Sequence, residues 1–439
     1  MIERSFGRVL GRFRTGAWLR SSVTWIVLLV VALVGTGIAI REKGRGHLHK
    51  LKTELGERPP VVVVSTPQPG GQDAVVLTRA QQEAGITPEF LSATLLPGRG
   101  MNVLQIMAFL PGKGEVPLLD APSLQDAARS MTGIEGDVNG EVSLAMGGAI
   151  EVPWAGQVSG AALPGGTSVL ANWRGRGITL PVNSAQGGSA GAQGTGTQSS
   201  VGGLLLKDAA DSASPSVMPD GGVVQGVFNA GSFEGHWPSK TEVRTTVLLS
   251  ARTMDVTIIA RNVGSEPEPM GIGWRPRFAI PAGQRSQVTL KLPSMTRAET
   301  KDRESGLPTG RLLPVEGTEY DFASRSGAAL QASSLNDTYV HLKTGALSTG
   351  AEAEIRNPAA GYGIRITALS PSIKAMRVYA PAGESMISID PQTNYDDPFG
   401  REWSKDEDTG MVVLQPGESM QWKVRLELFP ISGPAMGPG

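Results

Sequence analysis

Residues 378–399 read VYAPAGESMISIDPQTNYDDPF, and the rest of the chain is best interpreted outward from this stretch. Ile387 and Ile389 are typical of a buried β-strand, and the strand ends at Asp390-Pro391. Proline cannot donate to a sheet ladder, and a rigid strand end can direct a carboxylate into a cleft. The stretch therefore predicts that Asp390 is a functional carboxylate, although an Asp before proline can also simply cap a turn.

Alternating apolar and polar residues continue on both sides of this stretch. Residues 422–428 (WKVRLEL) and 288–292 (VTLKL) place apolar side chains at every second position, which is typical of half-buried antiparallel strands. Residues 242–250 and 253–263 flank a short break and predict a hairpin. Strands follow one another without a long amphipathic helix between them. The fold class we predict is therefore mainly β, a large antiparallel β-sandwich.

The composition excludes several classes of protein. The 439 residues are 40% hydrophobic and 18% charged, which is enough to bury a large core. The chain has 57 glycines and 31 prolines but no cysteine, so disulfides, thiolate catalysis and cysteine-based zinc sites are excluded. The formal net charge of -1 gives no electrostatic reason to expect a nucleic-acid partner.

The N-terminal region predicts a membrane anchor. Residues 1–20 are rich in arginine, and residues 21–40 carry no charge over a length that matches the ~30 Å hydrocarbon core of a bilayer. We expect a basic cytoplasmic tail at 1–20, a single transmembrane helix at 21–40 and a polar tether at 41–60. The domain would then lie in the periplasm, attached to the inner membrane. A cleaved signal peptide is the alternative.

Beyond the tether, we expect one globular domain over residues 61–432 and a disordered tail over 433–439. Capping signals predict two short helices near residues 79–96. Residues 184–203 are rich in Gly, Ser, Gln and Ala, and they predict a mobile surface loop.

Six further segments, with the opening stretch, carry a resemblance to a known family. They occur in the order 97–100 (PGRG), 153–154 (PW), 233–238 (FEGHWP), 271–278 (GIGWRPRF), 307–322 (LPTGRLLPVEGTEYDF) and 334–339 (SLNDTY). Their order and spacing resemble those of the aldose 1-epimerase (galactose mutarotase-like) superfamily. The resemblance implies a β-supersandwich with a sugar cleft on one concave face. It also implies a reaction without a metal or other cofactor.

The resemblance also implies roles for individual residues. Mutarotation requires a base for the anomeric hydroxyl proton and an acid for the ring oxygen. Asp390 lies where the family has its glutamate base. Arg275 replaces the histidine of the Gly-x-His-Pro-x-Phe motif, and arginine cannot release a proton near neutral pH. The family's earlier histidine falls near Gly202, and its sugar-binding arginine falls near Gln157. Asn336 matches the aspartate of a turn, with Asp337 beside it.

Asp390 is thus the candidate base, and seven side chains are candidates for sugar contact: Arg275, Trp274, Asn336, Asp337, Gln157, Trp154 and His236. Each has a structural alternative. An arginine can pair with a buried carboxylate, tryptophans can be core residues, and a histidine can be a satisfied structural residue. His341 is more typical of a surface position. The acidic runs at 396–397 and 405–408 are typical of solvated loops. The Asp pair at 396–397 could hold calcium, but it lacks the ligand register of a calcium site.

Three functions remain open at this point. The first is a membrane-anchored carbohydrate-binding protein in which mutarotase chemistry is weakened or absent. The second is an active aldose 1-epimerase that acts on a hexose or on a polysaccharide end. The third is a non-catalytic subunit of a polysaccharide machine at the cell envelope, which would be favoured if side chains filled the cleft. The sequence does not identify protein partners.

Overall fold

The computed structural model describes residues 29–36, 66–79, 85–132, 135–137, 139–183, 197–303, 305–330 and 334–431. The chain divides into two compact units, Met1–Ser65 and Thr66–Gly439. In the first unit, residues 29–36 form helix α1. No helix in the described part of the chain has the length and apolarity needed to cross a membrane. Most of the predicted anchor, together with the tail, the tether and residues 433–439, lies outside the described residues.

The second unit is built almost entirely from β-strands. The first thirteen are β1 (Val75–Thr78), β2 (Glu89–Leu96), β3 (Asn102–Leu110), β4 (Gly114–Pro117), β5 (Gly148–Glu151), β6 (Gln157–Ala162), β7 (Ser168–Trp173), β8 (Arg176–Pro181), β9 (Thr197–Val201), β10 (Ser212–Met218), β11 (Gly221–Gly231), β12 (Thr241–Leu249) and β13 (Thr253–Asn262). The next thirteen are β14 (Glu268–Met270), β15 (Gly273–Ala279), β16 (Thr289–Lys291), β17 (Thr296–Thr300), β18 (Pro308–Pro314), β19 (Ala328–Ala329), β20 (Leu335–Val340), β21 (Ala351–Asn357), β22 (Tyr362–Ala368), β23 (Ala375–Ala380), β24 (Met386–Gln392), β25 (Val412–Leu414) and β26 (Ser419–Pro430).

Two large sheets form a sandwich. The eleven-stranded sheet has the order β1-β2-β3-β5-β15-β24-β23-β20-β17-β18, with β4 paired to β3. The nine-stranded sheet has the order β10-β11-β12-β13-β26-β22-β21-β16-β19. Side chains from both sheets interdigitate in one hydrophobic cluster. Strands β8-β7-β6-β9 make a smaller sheet, and β14 pairs with β25. The predicted antiparallel β architecture is therefore confirmed.

The strands of the nine-stranded sheet follow the alternation of apolar and polar residues in the sequence. In β26, Trp422, Val424, Leu426 and Leu428 are all buried, while the residues between them are more exposed. This alternation confirms the predicted strand, because successive side chains of a strand point to opposite faces. The predicted hairpin is also present, since β12 and β13 pair in antiparallel register.

Helices are few and short in the described part of this unit. They are α2 (Leu124–Ser130), α3 (Glu141–Leu144) and single 3-10 turns at Pro69–Gly71, Glu135–Asp137, Leu205–Lys207 and Arg285–Gln287. Ser123 caps α2 by accepting a hydrogen bond from the backbone N–H of Asp126, which satisfies one of the free donors at the helix start.

Two local predictions are wrong. Glu89–Leu96 is strand β2 rather than the predicted helix, because it pairs with both β1 and β3 and nearly all of its side chains are buried. A capping signal is a local preference, and pairing on two sides overrides it. The end of the predicted loop at 184–203 is also ordered, since Thr197–Val201 is strand β9 and pairs with β6. Residues 184–196 lie outside the described part.

Candidate functional site

The candidate site is a row of charged side chains across the middle of the eleven-stranded sheet. The register of β23 and β24 places Arg377 opposite Asp390. On the other side of β24, the pairs Gly273–Gln392 and Arg277–Ser388 place Arg275 in line with Asp390. Residues at alternate positions of these strands point the other way, into the hydrophobic core. The sheet therefore brings Arg275, Asp390 and Arg377 together on one face.

Asp390 lies at the centre of this row. Its Oδ2 atom is 3.4 Å from Nε of Arg275 and 3.6 Å from Nη1 of Arg377. Its Oδ1 atom accepts a short hydrogen bond from the hydroxyl of Ser388. The side chain is 0% exposed. Burial raises the pKa of Asp390, and the two guanidinium groups only partly offset this. Oδ1 is thus held by a hydrogen bond, whereas Oδ2 is buried between the two guanidinium groups without a hydrogen bond to either.

A second carboxylate completes the charge pairing. Glu151, the last residue of β5, lies 2.9 Å from Nη2 of Arg275 and accepts a hydrogen bond from the backbone N–H of Gly156. It is also fully buried, and burial raises its pKa to about 7. Burial alone would lower the pKa of Arg275, but Glu151 and Asp390 raise it on balance. Arg275 therefore stays a cation, and it is paired with two carboxylates.

A third carboxylate comes from the loop after β24. Asp396 accepts hydrogen bonds from the hydroxyl of Thr338 and from the backbone N–H of Gln157, and it lies 3.9 Å from Nε of Arg377. Its neighbour Asp397 is 1% exposed, and burial raises the pKa of Asp397 to about 6. The prediction of a solvated loop at 396–397 is therefore wrong, because Asp396 and Asp397 accept hydrogen bonds from backbone N–H groups of β6, those of Gln157 and Ser159.

The connection between β17 and β18 covers this face. Gln157 donates a hydrogen bond to the carbonyl of Ser305, and Asn336 donates one to the carbonyl of Arg303. Asn336 also accepts a hydrogen bond of 2.7 Å from Arg377. Gln157 and Asn336 are 5% and 4% exposed. Two predicted sugar-contact residues thus bind the covering segment and the charged row.

The remaining predicted site residues lie apart from this row. Trp154 stacks on Trp237 at a centroid distance of 5.4 Å, and Trp274 donates a hydrogen bond to the carbonyl of Gly148. Trp154 and Trp274 are 0% exposed, which is the core role that the sequence left open. Asp337 pairs with Arg297 at 3.0 Å. His236 lies 2.7 Å, through Nδ1, from the carbonyl oxygen of Thr179 on β8.

Sequence reasoning missed Glu151 and Arg377. Each is a charged residue inside an otherwise apolar strand, in the segments GAIE and AMRVYA. A lone charge in such a buried strand needs a partner, and this signal could have identified both residues. Within the described residues, no group of three or more His, Asp or Glu side chains is arranged to hold a metal ion.

Comparisons with known proteins place this geometry in context. The family model for aldose 1-epimerase matches residues 169–427. A galactose mutarotase-like protein from Clostridium acetobutylicum is 16% identical with a TM-score of 0.62, and the match covers 77% of this chain and 93% of that one. An aldose epimerase homologue from C. elegans is 13% identical with a TM-score of 0.57, and the match covers 81% of this chain and 99% of that one. Galactose 1-epimerase from Lactobacillus acidophilus is 13% identical with a TM-score of 0.53, and the match covers 82% of this chain and 99% of that one. No curated protein sequence matches significantly.

Proposed function

Because this chain belongs to the aldose 1-epimerase family, we propose that it is a member in which the mutarotase reaction is lost and the scaffold serves as a binding subunit. The observation that carries this proposal is the burial of Asp390 between the guanidinium groups of Arg275 and Arg377. A base that takes a proton from a sugar must reach the anomeric hydroxyl at hydrogen-bond distance. Both oxygens of Asp390 face protein groups instead.

The missing acid supports the same proposal. Protonation of the ring oxygen needs a group that releases and regains a proton in each cycle. Arg275 lies where the resemblance implies a histidine, and its pairing with Glu151 and Asp390 strengthens its hold on the proton. Glu151 has a pKa near neutrality, but it is fully buried and its Oε1 faces Arg275. Mutarotation would need both ion pairs to break and the covering segment to move.

A non-catalytic subunit of a carbohydrate-handling assembly is the function that fits this geometry best. Family membership suggests a hexose or a polysaccharide end as the ligand class. The face that would receive the sugar is occupied by Arg275 and Arg377 and is covered through Gln157 and Asn336. We therefore favour a role in interaction over sugar binding at Asp390.

Polarimetry of freshly dissolved α-glucose and α-galactose tests the loss of the reaction. We expect the wild-type chain and Asp390→Asn to leave the spontaneous rate unchanged, while an active galactose 1-epimerase accelerates it in the same cell. Calorimetry with both sugars should show no binding. Acceleration by the wild type that Asp390→Asn abolishes would overturn the proposal. Sugar binding without acceleration, lost in Asp390→Asn, would restore the carbohydrate-binding alternative.

We also propose that residues 21–40 anchor the chain in the inner membrane with the domain in the periplasm. The uncharged run and the basic residues before it support this. Protease added to intact spheroplasts should then degrade the domain. Complete protection would contradict the orientation, and a soluble, N-terminally processed product would contradict the anchor.

A further inference from the structure

A second polar depression lies at one end of the neighbouring strands β20, β23 and β24 of the eleven-stranded sheet. It is a groove of about 590 Å³, within the range of ligand pockets. Its walls include His341 just after β20, Lys374 just before β23 and the acidic segment 406–408. Its apolar side includes Leu369 and Ile373. None of the residues of the charged row around Asp390 lines this groove.

His341 and Glu407 form the centre of the groove. Nε2 of His341 lies 3.0 Å from Oε1 of Glu407, and the hydroxyl of Tyr395 donates to the same oxygen at 3.0 Å. Among the described residues, no hydrogen bond or ion pair is formed by Oε2 of Glu407. His341 has a φ of +51°, a left-handed conformation that is unfavourable for a residue with a side chain. The fold therefore keeps an imidazole here at a cost in backbone energy.

A hydroxyl in the lining of the groove has no partner either. Ser370 is 9% exposed and lies in the groove lining, and its hydroxyl makes no hydrogen bond within the described part of the chain. Ser370 is thus an unused donor and acceptor beside the apolar residues Leu369 and Ile373.

The charges in the groove do not balance. Asp406, Glu407 and Asp408 face one lysine, Lys374, which lies 3.6 Å from Asp408. Asp406 is exposed, and the structure gives its carboxylate no hydrogen bond or ion pair among the described residues. An apolar surface next to the carboxylate of Asp406 and Oε2 of Glu407 is complementary to an aliphatic stem that ends in a cation.

We propose that this groove binds a lysine or arginine side chain of a partner protein. The aliphatic stem lies on Leu369 and Ile373, and the cationic group binds Oε2 of Glu407 and the carboxylate of Asp406. The hydroxyl of Ser370 accepts a further hydrogen bond from the same group. This docking site goes beyond the loss of mutarotation and does not depend on it, since it shares no residue with the row around Asp390.

Fluorescence anisotropy with the purified full chain tests this docking site. The probe is a fluorescein-labelled hexapeptide of alternating leucine and arginine, and the matched probe has glutamine in place of arginine. We expect saturable binding of the arginine probe only. The double variant Asp406→Asn/Glu407→Gln should weaken binding by about tenfold or more, because it removes both charge-assisted contacts. Ser370→Val should also weaken binding, although it changes no charge.

A second double variant separates this site from general electrostatics. Glu115→Gln/Glu316→Gln removes two exposed carboxylates that do not line the groove, and it should leave the affinity unchanged. Equal weakening by both double variants would overturn the proposal, as would a wild-type chain that binds neither probe. Asp406→Asn alone keeps the test valid if Glu407→Gln lowers stability, since Asp406 holds no other group in place.

Discussion

The charged row around Asp390 and the groove around His341 share strands β23 and β24, yet they differ in how their charges are satisfied. In the row, Arg377 of β23 and Asp390 of β24 are almost fully buried and partner each other. In the groove, Lys374 and His341 lie just outside β23 and β20, and both are about half exposed. One region keeps its charges for internal pairing, and the other leaves carboxylates open to solvent.

This difference shows that a concentration of polar residues does not by itself mark a binding site. The segments that cover the polar residues decide whether their charges are paired inside the protein or stay open to solvent. The β17–β18 connection and the loop after β24 contribute carbonyls and carboxylates that complete the row. In the groove, by contrast, Asp406 is exposed, and the side chain of Glu407 keeps 20% of its surface exposed. The region that resembles the family's reaction centre has thus become part of the protein's interior.

Arg275→Leu should cause the largest loss of stability. It leaves Glu151 and Asp390 as buried carboxylates without their shared cation, and breaking a buried ion pair typically costs ~3–5 kcal/mol. Urea unfolding at pH 8 measures this. The matched control is Arg311→Leu: the Arg311 side chain is 72% exposed and its Nη1 lies 3.5 Å from Glu299, so its loss should cost less than ~1 kcal/mol. Similar losses in both variants would mean that the row is hydrated like a surface.

The second-largest effect should be the pH dependence of stability that comes from Glu151. Burial raises the pKa of Glu151 from 4.5 to about 7, so the folded chain holds this proton more tightly than the unfolded chain. The contribution of Glu151 to the free energy of unfolding should therefore be fully present below pH 4.5 and should be lost as the pH rises to about 7. Each unit of pKa difference corresponds to ~1.4 kcal/mol, so the contribution is of the order of a few kcal/mol.

Glu151→Gln isolates this contribution. Burial also raises the pKa of Asp208 and of Glu268 to about 7. Their effect on how the free energy of unfolding changes with pH is the same in the variant as in the wild type. The difference between wild type and Glu151→Gln, measured by urea unfolding at pH 5 and pH 7.5, should therefore shrink or reverse as the pH rises. A difference that does not change with pH would show that Glu151 stays ionised throughout.

The smallest expected effect is in the groove. His341→Gly should raise the free energy of unfolding by ~0.5–1 kcal/mol, because glycine adopts a positive φ without the steric cost that a side chain incurs. His341→Ala keeps that cost and loses the contact with Glu407, so it should be slightly destabilising. Thermal unfolding of the two variants side by side gives the comparison. Equal destabilisation by both would show that the backbone at His341 carries no strain.

The sequence predicted those parts of the fold that depend on local periodicity. The alternation in β26 and the β12–β13 hairpin follow from residues that lie close together in the chain. Strand β2 was missed because its conformation depends on β1 and β3 rather than on its own capping signals. Strand β9 was missed for the same reason, since its partner β6 lies on the far side of two other strands in the sequence.

The site was predictable only in part. Asp390 and Arg275 were found because they occupy positions of a recognisable motif, and the alternative of a structural cation for Arg275 matches its pairing with Glu151. The composition of the Asp396-Asp397 loop indicated solvation, whereas its backbone and hydroxyl partners come from distant strands. Whether a charged side chain is buried depends on which distant segments cover the end of its strand. The pattern of residues along one stretch of sequence does not contain that information.

The position of β26 has a consequence for how the chain is made. It is the last of the described strands in sequence order, yet it lies between β13 and β22 in the nine-stranded sheet. During synthesis, the β10–β13 half and the β21–β22 half cannot join until residues 419–430 have left the ribosome. Until then β13 and β22 each present an unpaired edge, which can pair with another chain. A truncation before residue 419 would therefore leave two separate half-sheets rather than one shorter sheet.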